Sequence, residues 1–178
     1  MSRPGSETRQ RIQDVARDLF ARQGVQRTSL QDIADKLGIT KPALYYHFSS
    51  REDLVRSIVQ PLIDDGEQFV LHQERRGDVD ASELLEGYFD FHYRHRQDLM
   101  LVLAELTMLA DLGLIDTVLA WRERLGKLVF GPHPTLAQAA RAVVAFGGLQ
   151  DCCLQFPDTP VDELRAASVA GALAALGR

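Results

Sequence analysis

The row Leu30, Ile33, Ala34 and Leu37, closed by Gly38 and followed by Leu44 and Phe48, constrains this chain more than any other feature. The first four residues fall at i, i+3, i+4 and i+7, the spacing that gives a helix one apolar stripe. Gly38 takes a positive φ without steric cost and so ends that helix. After a turn of three or four residues the chain restarts. Leu44 and Phe48, four apart, share one face of the second helix and leave Lys41, Tyr45 and Tyr46 on the other. Two short amphipathic helices around a tight glycine turn read as a helix-turn-helix.

The second helix of such a pair lies in the major groove of DNA, its first residues at base edges and its flanks at phosphates. The candidate contacts here are Thr40, Lys41, Pro42, Ala43, Tyr45, Tyr46 and His47. Lys41 can donate to a guanine edge or a phosphate, a tyrosine offers hydroxyl and ring, and His47 adds a donor near the far end. Thr28, with Gln31 three residues later, has the form of a capping box for the first helix of the pair, and its hydroxyl or that of Ser29 is placed to touch a phosphate. Arg51 opens the next helix, where side chain and helix N-terminus together favour an anion. Arg27 and the early arginines Arg3, Arg9 and Arg11 are further backbone candidates. Taken singly, Tyr45, Tyr46 and Phe48 read rather as core aromatics, and Tyr45 keeps both roles; the joint pattern reverses this and favours DNA.

The string Ala43-Leu44-Tyr45-Tyr46-His47-Phe48, followed by Ser50-Arg51-Glu52-Asp53-Leu54, resembles the signature of the TetR/AcrR family of transcriptional regulators. That signature is a small residue, Leu-Tyr, two variable positions and Phe, then a basic residue, Glu and Leu. The resemblance is detailed over residues 8–60 and rests elsewhere on length and an all-helical pattern. It implies an all-α protein of about nine helices: a three-helix DNA-binding domain over residues 1–52, with the motif at about 29–48, then a larger ligand-binding and dimerisation domain over 53–178. It also implies a homodimer that binds a palindromic double-stranded operator and is released by a small hydrophobic effector.

Charge supports the same division. Residues 1–56 hold 10 Lys and Arg against 7 Asp and Glu, whereas residues 57–178 hold 10 against 18. A basic head on an acidic body orients the molecule toward a polyanion and keeps the rest of it away.

In chain order, a polar tail leads to Ser6 or Thr8 as N-cap of a first helix, whose stripe is Ile12, Val15, Ala16, Leu19 and Phe20 and whose end is Gly24. Ser49 and Glu52 form a second capping box, and Leu54, Val55, Ile58, Val59 and Leu62 carry a fourth helix. Pro61 lies within it and removes a backbone donor, which predicts a kink or a hinge. Asp80 and Glu83 start a helix with an aromatic wall (Tyr88, Phe89, Phe91, His92, Tyr93). Residues 99–110 are apolar nearly all round, interrupted by Glu105 and Thr107. After Gly113 comes a helix with Ile115, Val118, Trp121, Leu125 and Leu128 inward. Pro134 and Thr135 open the next helix; Thr159 as N-cap and Pro160 as first residue open the last.

A helical body with this many large side chains suits a mostly apolar ligand cavity. Its candidate lining is Phe89, His92, Leu103, Glu105, Met108, Trp121 and Phe146, each of which also reads as ordinary packing. Glu105, a carboxylate in an apolar helix, must be paired, protonated or solvent-facing; facing the cavity, it would favour cationic lipophilic ligands. The last two helices carry Ala140, Val144, Gly147, Ala167, Ala170, Gly171 and Ala174, small or apolar residues that permit a close four-helix interface between two chains.

Chemistry of other kinds finds little purchase. A nucleophile with its base, a glycine loop for phosphate or paired acids are not visible, so an enzyme is not expected, and neither is a cofactor. His92 and His95 are one turn apart without a third ligand at a supporting spacing, so no metal is expected. Cys152 and Cys153 point about 100° apart on a helix and read as small hydrophobes. The longest apolar run, Leu99 to Ala104, is far short of the ~20 residues of a spanning helix, and the first residues lack a signal-peptide core, which leads to a cytoplasmic expectation and no membrane partner. Two alternatives stay open: a DNA-binding dimer without an effector, and a small-molecule binder or enzyme with a vestigial head.

Overall fold

The computed structural model describes residues 4–77, 79–104 and 114–178. Among the described residues there are nine helices and no strand: α1 (Pro4–Gln23), α2 (Leu30–Leu37), α3 (Lys41–His47), α4 (Arg51–Arg76), α5 (Ala81–Arg94), α6 (Arg96–Ala104), α7 (Leu114–Phe130), α8 (Leu136–Gln155) and α9 (Val161–Leu176). They gather into two compact units, one of residues 4–61 with 101–104 and the other of residues 62–77, 79–100 and 114–178. The start of α4 belongs to the first unit, and Leu54, Val55 and Ile58 on it are buried.

In the first unit the apolar rows do what their spacing requires. Ile12, Ala16 and Phe20 of α1, Ile33 and Ala34 of α2, and Leu44 and Phe48 around α3 are all buried. Helix starts differ from expectation in three places. α1 begins at Pro4, a residue suited to a first turn, so Ser6 and Thr8 lie inside the helix rather than at its cap. The box before α2 is made by Ser29 and Asp32, not Thr28 and Gln31. Before α4, Ser50 Oγ accepts from Asp53 N–H at 3.0 Å and the Asp53 carboxylate reaches one residue further back, accepting from Ser49 N–H at 2.9 Å. Where two hydroxyls are adjacent, the loop geometry decides which of them faces the orphan amides.

In the second unit α5 packs against α8 and α9, α9 against α8, and α7 against α8. Its core holds Leu84, Leu85, Phe89, Trp121, Leu125, Phe146, Leu149 and Leu164. Gly66 of α4 lies under the Trp121 ring, where a β-carbon would clash, so the indole can approach the α4 backbone closely. The Trp121 Nε1–H donates to Glu67 Oε2 at 2.8 Å, and Arg124 forks between Glu67 at 2.8 Å and Glu74 at 2.7 Å. Thr135 caps α8 in a reciprocal box with Gln138, and Asp80 caps α5 through Glu83 N–H, as the sequence predicts. α9 differs: Pro160 itself occupies the cap position in an extended conformation and makes no side-chain cap bond. No helix among the described residues is long and apolar enough to cross a membrane.

Candidate functional site

α2 and α3 are each fastened at their ends by local bonds, and those bonds determine which side chains are left outward. Ser29 Oγ accepts from Asp32 N–H at 3.1 Å, while Asp32 Oδ2 accepts from Ser29 N–H at 2.8 Å. These two bonds, the backbone one first, hold the Asp32 carboxyl below its usual range. Gly38 at φ 68° ends α2 in the left-handed conformation, and Ile39 N–H turns back to Ala34 O at 3.0 Å. Thr40 then caps α3 by accepting from Ala43 N–H at 3.3 Å, so the Thr40 oxygen is occupied at the helix start.

Leu44 and Phe48 are fully buried, which aims the opposite side of α3 at solvent. Lys41, Pro42 and Ala43 are exposed, Tyr46 is 87% exposed and Tyr45 45%. Tyr45 is thus half packing residue and half available, and Lys41 Nζ stands 5.8 Å from its ring centre. His47 is half-buried, its ring edge-on to Tyr46 at 5.3 Å. α1 holds the far end of α3 in place: Arg9 donates to His47 O at 2.7 Å and lies 4.1 Å over the Phe48 ring. Arg9 is therefore occupied within the protein. Together these residues form a short rod with a cationic and aromatic outer edge and an apolar inner edge.

Two residues expected at phosphates are turned elsewhere. Thr28 is fully buried; its hydroxyl donates to Gly24 O at 2.8 Å and accepts from Gln23 Nε2 at 3.2 Å, closing the loop between α1 and α2. The correction follows from Gly24, whose carbonyl lies at the end of α1 and needs a donor. Arg51 donates to Val25 O at 3.4 Å, Gln26 O at 3.1 Å and Gln26 Oε1 at 3.2 Å, so it clasps the same loop. Ser29 remains exposed.

The second unit places the remaining candidates. His92, Trp121 and Phe146 are buried around one aromatic cluster: the Tyr88 ring lies 4.2 Å from His92 and 5.1 Å from Phe146, and Phe91 lies 4.7 Å from His92 and 6.2 Å from Trp121. Phe89 is buried toward Tyr93, Cys153 and Arg165 instead. The side chain of Leu103, and Glu105 and Met108 entirely, lie outside the described residues. The row reading missed Arg122 and Gln150, which stand at this cluster: Arg122 Nη2 donates to Gln150 Oε1 at 2.7 Å. Arg122 is four residues after Val118 and next to Trp121, and Gln150 follows Leu149, so each sits on the margin of an apolar stripe where a polar residue attracts no notice.

His92 is 1% exposed, and neither ring nitrogen has a partner. Burial, then the charge of Arg122, pushes its pKa down to about 3, so the ring is neutral. His95, one turn on, is instead held by Asp65 Oδ2 at 2.9 Å. Cys153 is buried and its thiol is pushed up to about 12 by that burial, whereas Cys152 is half-exposed. On α8, Ala140 is exposed and Val144 is 63% exposed, with Gly147 half-exposed; on α9, Ala167, Ala170, Gly171 and Ala174 are exposed. Leu136 and Val143 extend the α8 row, exposed at 87% and 58%.

Residues 12–58 match the family described as bacterial regulatory proteins, tetR family. The chain is similar to the HTH-type transcriptional regulator AcrR of Shigella flexneri, with 52% identity over 52 residues, 29% of this chain and 24% of that protein. It is similar to the HTH-type transcriptional regulator TtgR of Pseudomonas putida, with 35% identity over 74 residues, 42% of this chain and 35% of that protein. The matched stretch thus spans about a third or less of these relatives' length. The fold likeness is wider: a transcriptional regulator from Aquifex aeolicus matches 92% of this chain and 96% of its own, at TM-score 0.75 and 21% identity.

Proposed function

We propose that the chain is a regulator of the TetR/AcrR family, whose model its residues 12–58 match, and that it works as a homodimeric repressor that reads a palindromic operator and is released by a small hydrophobic effector. The observation that carries this reading is α3 itself: Lys41, Tyr45 and Tyr46 outward, Leu44 and Phe48 buried behind them, and both helix starts capped. Lys41 and Tyr46 are the groups placed to meet DNA, with Ala43 and Pro42 permitting close approach and Ser29 at a phosphate. One such rod covers few base pairs. Two rods held ~34 Å apart on one face of the duplex read both half-sites.

The pairing surface is the exposed row Leu136, Ala140, Val143 and Val144 of α8 with Ala167, Ala170, Gly171 and Ala174 of α9. Two helices from each chain form a four-helix interface with two-fold symmetry, matching a palindrome. Release then requires that an effector bind one spacing of the two heads better than the other. The buried aromatic cluster of the second unit is the candidate place for it.

The test is a protection footprint and a salt series on the full-length protein with its upstream DNA. Salt-dependent protection of a palindrome by the wild type, lost in the Lys41→Ala, Tyr46→Ala double variant, supports the reading. Equal binding by the double variant overturns it.

A further inference from the structure

Four polar side chains of the second unit meet where the pattern of its helices leads one to expect only rings and aliphatics. Tyr88 is 2% exposed and stands beside Arg122. His92 lies 4.2 Å from the Tyr88 ring, with both ring nitrogens buried and unpartnered. Arg122 gives one Nη to Gln150, itself buried, while its Nε–H is buried with no acceptor. The guanidinium reaches this place across Gly147, whose missing β-carbon would otherwise stand 3.4 Å from Nη1. Among the described residues no carboxylate forms an ion pair with Arg122.

Each buried donor left without an acceptor is costly, and the Nε–H of the half-buried Arg122 is one of them. A folded chain retains such a cluster at a cost in stability, which makes it a candidate binding feature rather than a packing one. The deficit has a definite sign: one full positive charge, an unpaired guanidinium N–H, and a neutral imidazole able to donate from one nitrogen. An acceptor-rich anion answers all three. A carboxylate does so with two oxygens in the plane a guanidinium presents.

We propose that Arg122, Tyr88, His92 and Gln150 form the head-group end of the effector site and select a carboxylate-bearing molecule whose apolar remainder lies against Phe91, Phe146 and Trp121. This rests on the ligand-responsive reading above. It runs against the cationic preference that Glu105 suggested. Glu105 lies outside the described residues, whereas the leading charge acting on Tyr88 and His92 is that of Arg122. An amine head would face Arg122 with like charge, and an amide would leave the guanidinium uncompensated.

The test uses full-length protein and a panel of straight-chain, aryl and fused-ring carboxylates, each with its primary amide and its amine. Thermal midpoints read head-group preference without DNA, and operator release reads regulation. The expected result is that at least one carboxylate raises the midpoint and acts at tenfold or more lower concentration than its amide and its amine. Arg122→Met should abolish that preference. His92→Leu, which removes the unpartnered nitrogens and keeps the fold, should reduce it several-fold, so the inference stays testable if the arginine variant fails to fold. Equal response to acid and amide, a preference for the amine, no response to any acid in the panel, or an undiminished preference in either folded variant overturns the inference. Release by an amide or amine alone would leave the regulatory reading standing and remove this one. A carboxylate that raises the midpoint but leaves the operator bound would do the reverse.

Discussion

Gln13 of α1 donates from one Nε2 to both the carbonyl and the hydroxyl of Ser57 in α4, at 3.2 and 2.9 Å. The carbonyl of residue 57 is the one an ordinary residue 61 would cap in the helix, and residue 61 is proline. α4 therefore runs through Pro61 with the exposed acceptor satisfied from another helix. The sequence around Pro61 does not show this second donor.

The Gln13 bond is expected to be coupled to the proline. Gln13→Ala should cost about 1 kcal/mol in the wild type. In a Pro61→Ala background the helix regains its own donor, and the same change should cost less than half as much. A double-mutant cycle by urea unfolding measures the difference; equal costs in both backgrounds would show that Gln13 packs there without serving the orphan carbonyl.

Arg51 and Lys41 are both basic and both near the expected DNA face, yet they should fail differently. Arg51 is bound to the carbonyls of Val25 and Gln26, while Lys41 has no carboxylate partner among the described residues and is exposed. Arg51→Ala should lower the unfolding midpoint and weaken the operator complex with an unchanged salt slope. Lys41→Ala should leave the midpoint in place and, if it touches a phosphate, reduce the slope of log K against log salt by about 1. A slope loss in the arginine variant would return Arg51 to the phosphates.

The helix-turn-helix was legible because its information is local: a 3.6-residue apolar period, one glycine and a pair of caps. Leu44, Phe48 and the outward Lys41 and Tyr46 followed from spacing alone. The cap of α2 fell one residue later than read, because Thr28 gives its hydroxyl to Gly24 O and leaves Ser29 to face Asp32 N–H. The polar cluster in the body was out of reach for a stronger reason. Tyr88, Arg122 and Gln150 come from three helices whose mutual rotation is a tertiary matter, and His92 looked like any other member of an aromatic wall.

His92 should make stability depend on pH in a window of its own. Its pKa falls from 6.5 in the unfolded chain to about 3 in the fold, with burial as the main cause. Between those values the unfolded state binds more protons, so stability rises with pH, is complete above about 6.5, and is lost as pH falls toward 3. From pH 7 to pH 5 this one group should remove about 2 kcal/mol, at up to ~1.4 kcal/mol per pH unit. His92→Leu should flatten the curve by that amount and be no less stable at pH 7, since it removes two unpartnered nitrogens. Parallel curves for variant and wild type would mean the ring is solvated in solution.

The pairing surface makes the last prediction, and it separates assembly from DNA contact. Val144 is 63% exposed in the single chain and sits between Ala140 and the half-exposed Gly147 on α8. A carboxylate there costs nothing in a monomer and several kcal/mol once buried between four helices without a partner. Val144→Asp should therefore run as a monomer in analytical ultracentrifugation at concentrations where the wild type is a dimer, with an unchanged helical content. Its operator affinity should fall by 10²-fold or more, because a single α3 loses the second half-site, whereas Lys41→Ala should remain dimeric. If Val144→Asp stays dimeric, the two chains meet elsewhere, and the small residues Ala167, Ala170 and Gly171 on α9 need another explanation.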